Sequence, residues 1–313
     1  SGAMIFWSEK MNKVSELLTR YAQHACDVLI RGETGAGKDI AAFELYRRSK
    51  TLNRIFLTVP VSGINESLAE SELFGYEKGA FTGADRPHKG KLAFANHGTL
   101  YIPEISSVSE AVQIKLLQFM QYKTISRLGE NLAQDTQLQV RLLFATNEDL
   151  EQKVREGKMR SDFFYRIDTL SVTIPPLRDR PDDIPLLANH FCKSLALKHL
   201  NREVSISQEV LERFQQMLWH GNVRELQSAV LKCIFMLDDH ENEVRLKHIQ
   251  AGSSPLVSEN LPITDYETAK TAFKKEYFNK LLTSANGNIT AAAQKAGLSR
   301  AGLLKAIKEL DIR

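Results

Sequence analysis

The segment Gly32-Glu33-Thr34-Gly35-Ala36-Gly37-Lys38-Asp39 follows an apolar run, Asp27–Arg31, and opens a helical stretch, Ile40–Arg48. No other feature limits the fold of this chain as strongly. A glycine-rich turn joining a strand to a helix offers backbone N–H groups and a helix N-terminus to phosphate, while the lysine side chain reaches the phosphate charge. Residues 32–39 are therefore candidate nucleotide-binding residues. A Ser or Thr normally follows the lysine and binds Mg²⁺; here the position is Asp39, a candidate magnesium ligand in its own right.

The surrounding pattern agrees with such a turn. Strand-like runs at Asp27–Arg31, Ile55–Val59, Gly98–Ile102, Val140–Ala145 and Thr169–Ile174 alternate with helical stretches. This predicts an α/β domain over residues 5–175, closed by Pro175-Pro176. Residues 176–251 have helical periodicity, as in Ile184-Leu187-Ala188-Phe191. The Pro- and Ser-bearing segment 252–264 reads as a linker, and 265–313 as a final helical unit. At 313 residues, two or three domains are expected. Hydrophobic content of 43% and charged content of 25% fit a soluble globular protein, and no apolar run reaches the length of a membrane span. No secretory signal opens the sequence, and Ser1-Gly2-Ala3-Met4 reads as an expression scar. Cys26, Cys192 and Cys233 are scattered, without metal-site spacing, and suit buried reduced thiols in a cytoplasmic protein.

Gly79-Ala80-Phe81-Thr82-Gly83-Ala84 is a run of small residues around one aromatic. Such a string suits contact rather than catalysis: Phe81 forms a hydrophobic tip, and its neighbours let the backbone bend. The stretch Glu70–Lys78 before it reads as a helix interrupted to project a loop. In this order and spacing, the phosphate loop and the GAFTGA string resemble those of NtrC-family AAA+ activators, the bacterial enhancer-binding proteins. The resemblance implies an AAA+ P-loop NTPase core with a helical lid. It further implies ATP and Mg²⁺ as ligands, a ring oligomer, and contact between the GAFTGA loop and RNA polymerase carrying sigma-54.

Further roles follow from the same resemblance. Gly98–Ile105 aligns with the strand that ends in an Asp-Glu pair; Glu104 would polarise the attacking water and assist the metal, but Pro103 stands where the Asp would be. Val59-Pro60-Val61 replaces a segment whose Asn restrains that Glu. Asn147, or Thr146, would sense the γ-phosphate, and Arg224 in Trp219–Leu226 would couple the lid to nucleotide state. Arg160 and Arg166 would act as fingers on a neighbouring subunit. Arg127-Leu128-Gly129 would form a second pore loop.

Residues 265–313 hold nine Lys/Arg against five Asp/Glu, whereas the whole chain has a net charge of +3. Gly287–Arg300 has helix-turn-helix spacing: small Ala293 permits a close helix crossing, Gly297 turns the chain, and Ser299 caps the next helix. On that helix Leu303, Leu304 and Ile307 would face inward. Arg300, Gly302 and Lys305 would face the major groove of double-stranded DNA, with Lys308 nearer the backbone. The helix before it, about 268–284, resembles the Fis-like dimerisation helix of the family.

Two mechanisms compete at this level. The GAFTGA string, Lys38, Glu104, Arg160, Arg166 and Arg224 support an ATP-driven remodeller of sigma-54 polymerase. Pro60 and Pro103 support a regulator that binds nucleotide but hydrolyses it poorly. Relatives of the second kind include some that respond to cyclic di-GMP and work with ordinary polymerase, although no residue here marks a cyclic dinucleotide site. A general AAA+ unfoldase would leave the helix-turn-helix unexplained. Family members usually carry a receiver or other sensory domain ahead of this region, so a truncated form is expected.

Overall fold

The computed structural model describes residues 8–49, 55–63, 65–80, 84–125 and 136–252, together with Ile289, Ala293 and Leu303. Helix α1 (Glu9–Ala22) leads to strand β1 (Val28–Arg31), and the glycine turn delivers α2 (Lys38–Arg48). Next come β2 (Phe56–Thr58), α3 (Glu66–Phe74), a ribbon of β3 (Gly75–Tyr76) and β4 (His88–Lys89), α4 (Lys91–Phe94) and β5 (Gly98–Ile102). Helix α5 (Glu110–Tyr122), a second ribbon of β6 (Thr124–Ile125) and β7 (Thr136–Gln137), β8 (Val140–Thr146), α6 (Leu150–Arg155), α7 (Ser161–Ile167) and β9 (Ser171–Thr173) complete the α/β portion. The helical portion holds α8 (Asp183–Leu200), β10 (Ser205–Ile206), α9 (Gln208–Gln215), α10 (Asn222–Phe235), β11 (Glu243–Val244) and α11 (Leu246–Gly252).

The main sheet has five parallel strands in the order β2-β5-β8-β1-β9. Alternation along each strand divides its apolar residues between two layers. Leu29, Leu100, Ile102, Leu142 and Phe144 pack with α5 and α7, whereas Val28, Ile30, Tyr101, Leu143 and Ala145 pack with α1 and α2. Every residue of β5 and β8 is buried, as a strand covered on both faces requires. Arg141 is the exception in polarity. It lies buried in β8, where its guanidinium donates to the carbonyls of Cys26 (2.9 Å) and Tyr21 (2.8 Å). The helical portion has its own core, in which Trp219 meets Phe214 edge-on and donates to the Phe214 carbonyl at 2.7 Å.

Several expectations shift in detail. Helix α2 begins at Lys38 rather than Ile40, so the lysine belongs to the first helical turn. The helical region is interrupted by the short parallel pair β10–β11, which continuous 3.6-residue periodicity did not foresee. Cys26 is only half-buried, unlike Cys192 and Cys233, because the turn before β1 leaves it at the edge of the core. Helix α3 stops at Phe74, and the base of the GAFTGA loop is the β3–β4 ribbon instead of helix. Gly75 explains that stop: at φ +82° it leaves helical space, and a Cβ there would lie 2.4 Å from the His88 carbonyl. Gly252, assigned to the linker, is the last residue of α11.

Residues 1–252 and 253–313 form separate compact units. In the second unit Ile289, Ala293 and Leu303 are helical, and Ala293 and Leu303 are buried. Among the described residues no helix is long and apolar enough to cross a membrane.

Candidate nucleotide-binding site

Three parts of the fold converge on one open cleft of about 570 Å³. The turn and α2 contribute Thr34, Gly35, Gly37, Lys38, Asp39 and Ile40. The sheet ends supply Phe56, Thr58, Tyr101, Pro103 and Glu104, and α10 supplies Val223, Arg224 and Gln227. Its size is that of a small-molecule site. Because α2 begins at Lys38, the first-turn N–H groups have no intrahelical acceptor and give the cleft a donor-rich, positive floor. Lys38 folds back on its own loop, donating to the carbonyls of Gly32 (2.8 Å) and Glu33 (3.1 Å). Partial burial pushes its pKa below the ordinary lysine value and Arg224 acts in the same sense, against Asp39 and Glu104.

On the sheet side Pro103 lines the cleft, at the position where the resemblance led us to expect a carboxylate, and Pro60 is exposed outside the lining. Asp39 accepts a 2.7 Å hydrogen bond from the hydroxyl of Tyr101. That phenol is nearly inaccessible, stacks on Phe56 and is held protonated by burial and by Asp39. Glu104 follows Pro103 in a left-handed conformation, φ 55° and ψ 51°, uncommon outside glycine. The Ser107 N–H and hydroxyl both donate to its carbonyl.

On the other side, the lid grips the turn. Buried Asn222, itself at φ 55°, donates to the Glu33 carboxylate (3.0 Å) and the Thr34 carbonyl (3.1 Å), and accepts from Leu177 N–H (2.7 Å). Val223 N–H donates to the Gly35 carbonyl at 3.1 Å. Arg178 forms a two-pronged pair with Glu33 (2.8 and 2.5 Å), which, with Asn222, lowers the Glu33 pKa to about 2. Arg180 donates to the Ala36 carbonyl at 2.8 Å. Sequence reasoning assigned Arg224 here but missed Asn222, Arg178, Arg180 and Tyr101. Asn222 was the findable one, since it lies two residues before Arg224 in the same motif. Asn147 reaches the turn from the end of β8, donating to the Thr34 hydroxyl at 3.0 Å.

Residues 4–173 match the sigma-54 interaction domain, and residues 178–257 match the AAA+ ATPase lid domain. The chain belongs to the sigma-54 interaction AAA+ family. The transcriptional regulatory protein ZraR of Salmonella typhimurium (strain LT2) is 34% identical over 305 residues, 96% of this chain and 67% of ZraR. The DNA-binding transcriptional activator HyfR of Escherichia coli K12 is 34% identical over 329 residues, covering 99% of this chain and 48% of HyfR. The crystal structure of NtrX from Brucella abortus in complex with ATP superposes with a TM-score of 0.72 at 27% identity, covering 100% of this chain and 70% of that one.

In this sigma-54 interaction chain, Arg160 and Arg166 do not line the cleft. Arg160 caps α7 and pairs with Asp162 (2.8 Å) and Glu110 (3.2 Å), while Arg166 donates to the Met120 carbonyl at 3.2 Å. At the GAFTGA loop, the Gly79 N–H donates to the Ala84 carbonyl at 2.9 Å and the Ala80 N–H to the Glu77 carbonyl at 3.2 Å. Phe81, Thr82 and Gly83 lie outside the described residues, as do the second loop Arg127-Leu128-Gly129 and the DNA-contact set Ser299, Arg300, Gly302, Lys305 and Lys308.

Proposed function

We propose that this protein is a cytoplasmic, DNA-binding transcription regulator that binds ATP and contacts sigma-54 RNA polymerase through Gly79–Ala84. One observation carries the reading: a single cleft is walled by the phosphate loop, the end of β5 and the start of α10, so an occupant would touch core and lid together. In this reading residues 5–175 are the core, 176–251 the lid, 252–264 a linker and 265–313 a Fis-like helix-turn-helix domain. Turn N–H groups, Lys38 and Arg224 meet the phosphates, and Asn147 reports on them through Thr34. Glu104 is the candidate to orient water. Arg160 and Arg166 would serve a neighbouring subunit in a ring, and the C-terminal domain would pair on DNA. The relatives' names and the ATP complex of NtrX support the assignment.

A second reading keeps the architecture but makes nucleotide a positional signal that is hydrolysed poorly. Pro103 in the cleft wall favours it, since proline offers neither carboxylate nor N–H there. Loss of that group would remove several kcal/mol of transition-state stabilisation, on the order of a missing charged catalytic group. Calorimetric titration with ATP tests the common ground. Uptake should be present in the natural sequence and lost in Lys38→Ala; no uptake at millimolar ATP would overturn both readings. Phe81→Ala should retain uptake and lose capture of sigma-54 holoenzyme, and retained capture would remove the polymerase-contact assignment.

A further inference from the structure

The donor set of the cleft is short of one carboxylate that magnesium would use and has another tied to a phenol. That ion takes near-octahedral oxygens, usually one or two carboxylates with phosphate and water. Three protein positions bear on that supply: Pro103 has no side-chain donor, Asp39 has its Oδ1 engaged by the Tyr101 hydroxyl at 2.7 Å, and Glu104 is the third. Tyr101 cannot easily turn away: it is 2% exposed, stacked on Phe56 and fixed by both sheet neighbours of β5. Glu104 is the remaining carboxylate, and the charge nearest in effect is Lys38, which feels both it and Asp39. The cleft thus balances two cations, Lys38 and Arg224, against two carboxylates within its own wall. Phosphate anchoring then falls on the backbone N–H groups and helix terminus, which need no metal.

We propose that this site takes a nucleoside polyphosphate without a divalent cation, with the Tyr101–Asp39 hydrogen bond standing in place of a metal ligand. The inference rests on the nucleotide reading above and narrows it to a metal-free ligand. Nucleotide then acts on the lid–loop contacts of Asn222, Arg178 and Arg180 by occupancy alone.

The test is calorimetric titration of the whole chain with ATP, once in millimolar Mg²⁺ and once in excess EDTA. The two dissociation constants should agree within threefold; a larger weakening in EDTA overturns the proposal. Pro103→Asp combined with Tyr101→Phe restores one carboxylate and frees another, so this variant should bind at least tenfold more tightly with Mg²⁺ than with EDTA. If it stays indifferent to the metal, these positions do not control metal use and the proposal falls. Should the double variant melt early, Tyr101→Phe alone serves, with a shift in the same direction expected and metal indifference overturning the idea. Absence of ATP uptake by the natural sequence in both buffers would instead sink the nucleotide reading, which keeps the two failures distinct.

Discussion

Gly35 occupies the tightest point between the phosphate turn and the lid. Its φ is +76°, and a Cβ would lie 2.3 Å from the Gly221 carbonyl oxygen, with no flexible side chain to yield. Gly35→Ala therefore combines left-handed strain with a backbone collision. It should destabilise the 1–252 unit by about 2 kcal/mol or more, read as a lower thermal midpoint together with weakened ATP uptake. Glu33 tests the electrostatic side of the same contact. Arg178 and Asn222 hold its carboxyl at about 2, below the ordinary 4.5, so its contribution is complete above about 4.5 and is lost as pH falls toward 2. The pair is partly exposed (37% and 43%), which caps its worth below about 1 kcal/mol. Urea midpoints of the natural chain and Glu33→Gln should differ at pH 7, draw together below about pH 4.5 and meet only as pH approaches 2; a gap that widens on acidification would contradict the assignment.

At the scale of elements, the weak-hydrolysis reading turns on the residues that follow β2 and β5. Val59-Pro60 follows β2 and Ile102-Pro103 closes β5, and in the weak-hydrolysis reading both prolines stand where the family resemblance places groups that engage water or its activating carboxylate. The natural chain should turn over ATP slowly. Pro60→Asn with Pro103→Asp should raise the steady-state rate by at least tenfold, and robust turnover by the natural chain would defeat the weak-hydrolysis reading. Element identities were largely legible in advance. Strand β5 was placed at its observed bounds, because Gly98 and Pro103 bracket a short, largely apolar, strand-forming run. The β3–β4 ribbon was not legible: two-residue strands have no periodicity, and their pairing joins residues on either side of the GAFTGA string.

For the whole molecule, the prediction concerns its two units. If residues 265–313 bind DNA as proposed, Arg300→Ala should relax sequence preference. Lys308→Ala should weaken binding evenly across sequences and reduce the salt slope by about 1. Operator titrations at several salt concentrations separate the two outcomes, and an unchanged pair would refute the groove assignment.

What the sequence determined by itself was the order of parts: a strand, a glycine turn, a lysine and a helix can be read from neighbours, because each depends on local backbone geometry. The prolines at 60 and 103 were equally visible, since a missing donor needs no partner to be noticed. Only the tertiary structure decided which side chains those local parts would meet. Tyr101 and Asp39 lie on different elements, as do Asn222 and Glu33, and their hydrogen bonds exist because the sheet and lid bring distant segments within 3 Å. Such contacts leave no periodic trace along the chain, yet they build the wall of the cleft and its grip on the lid.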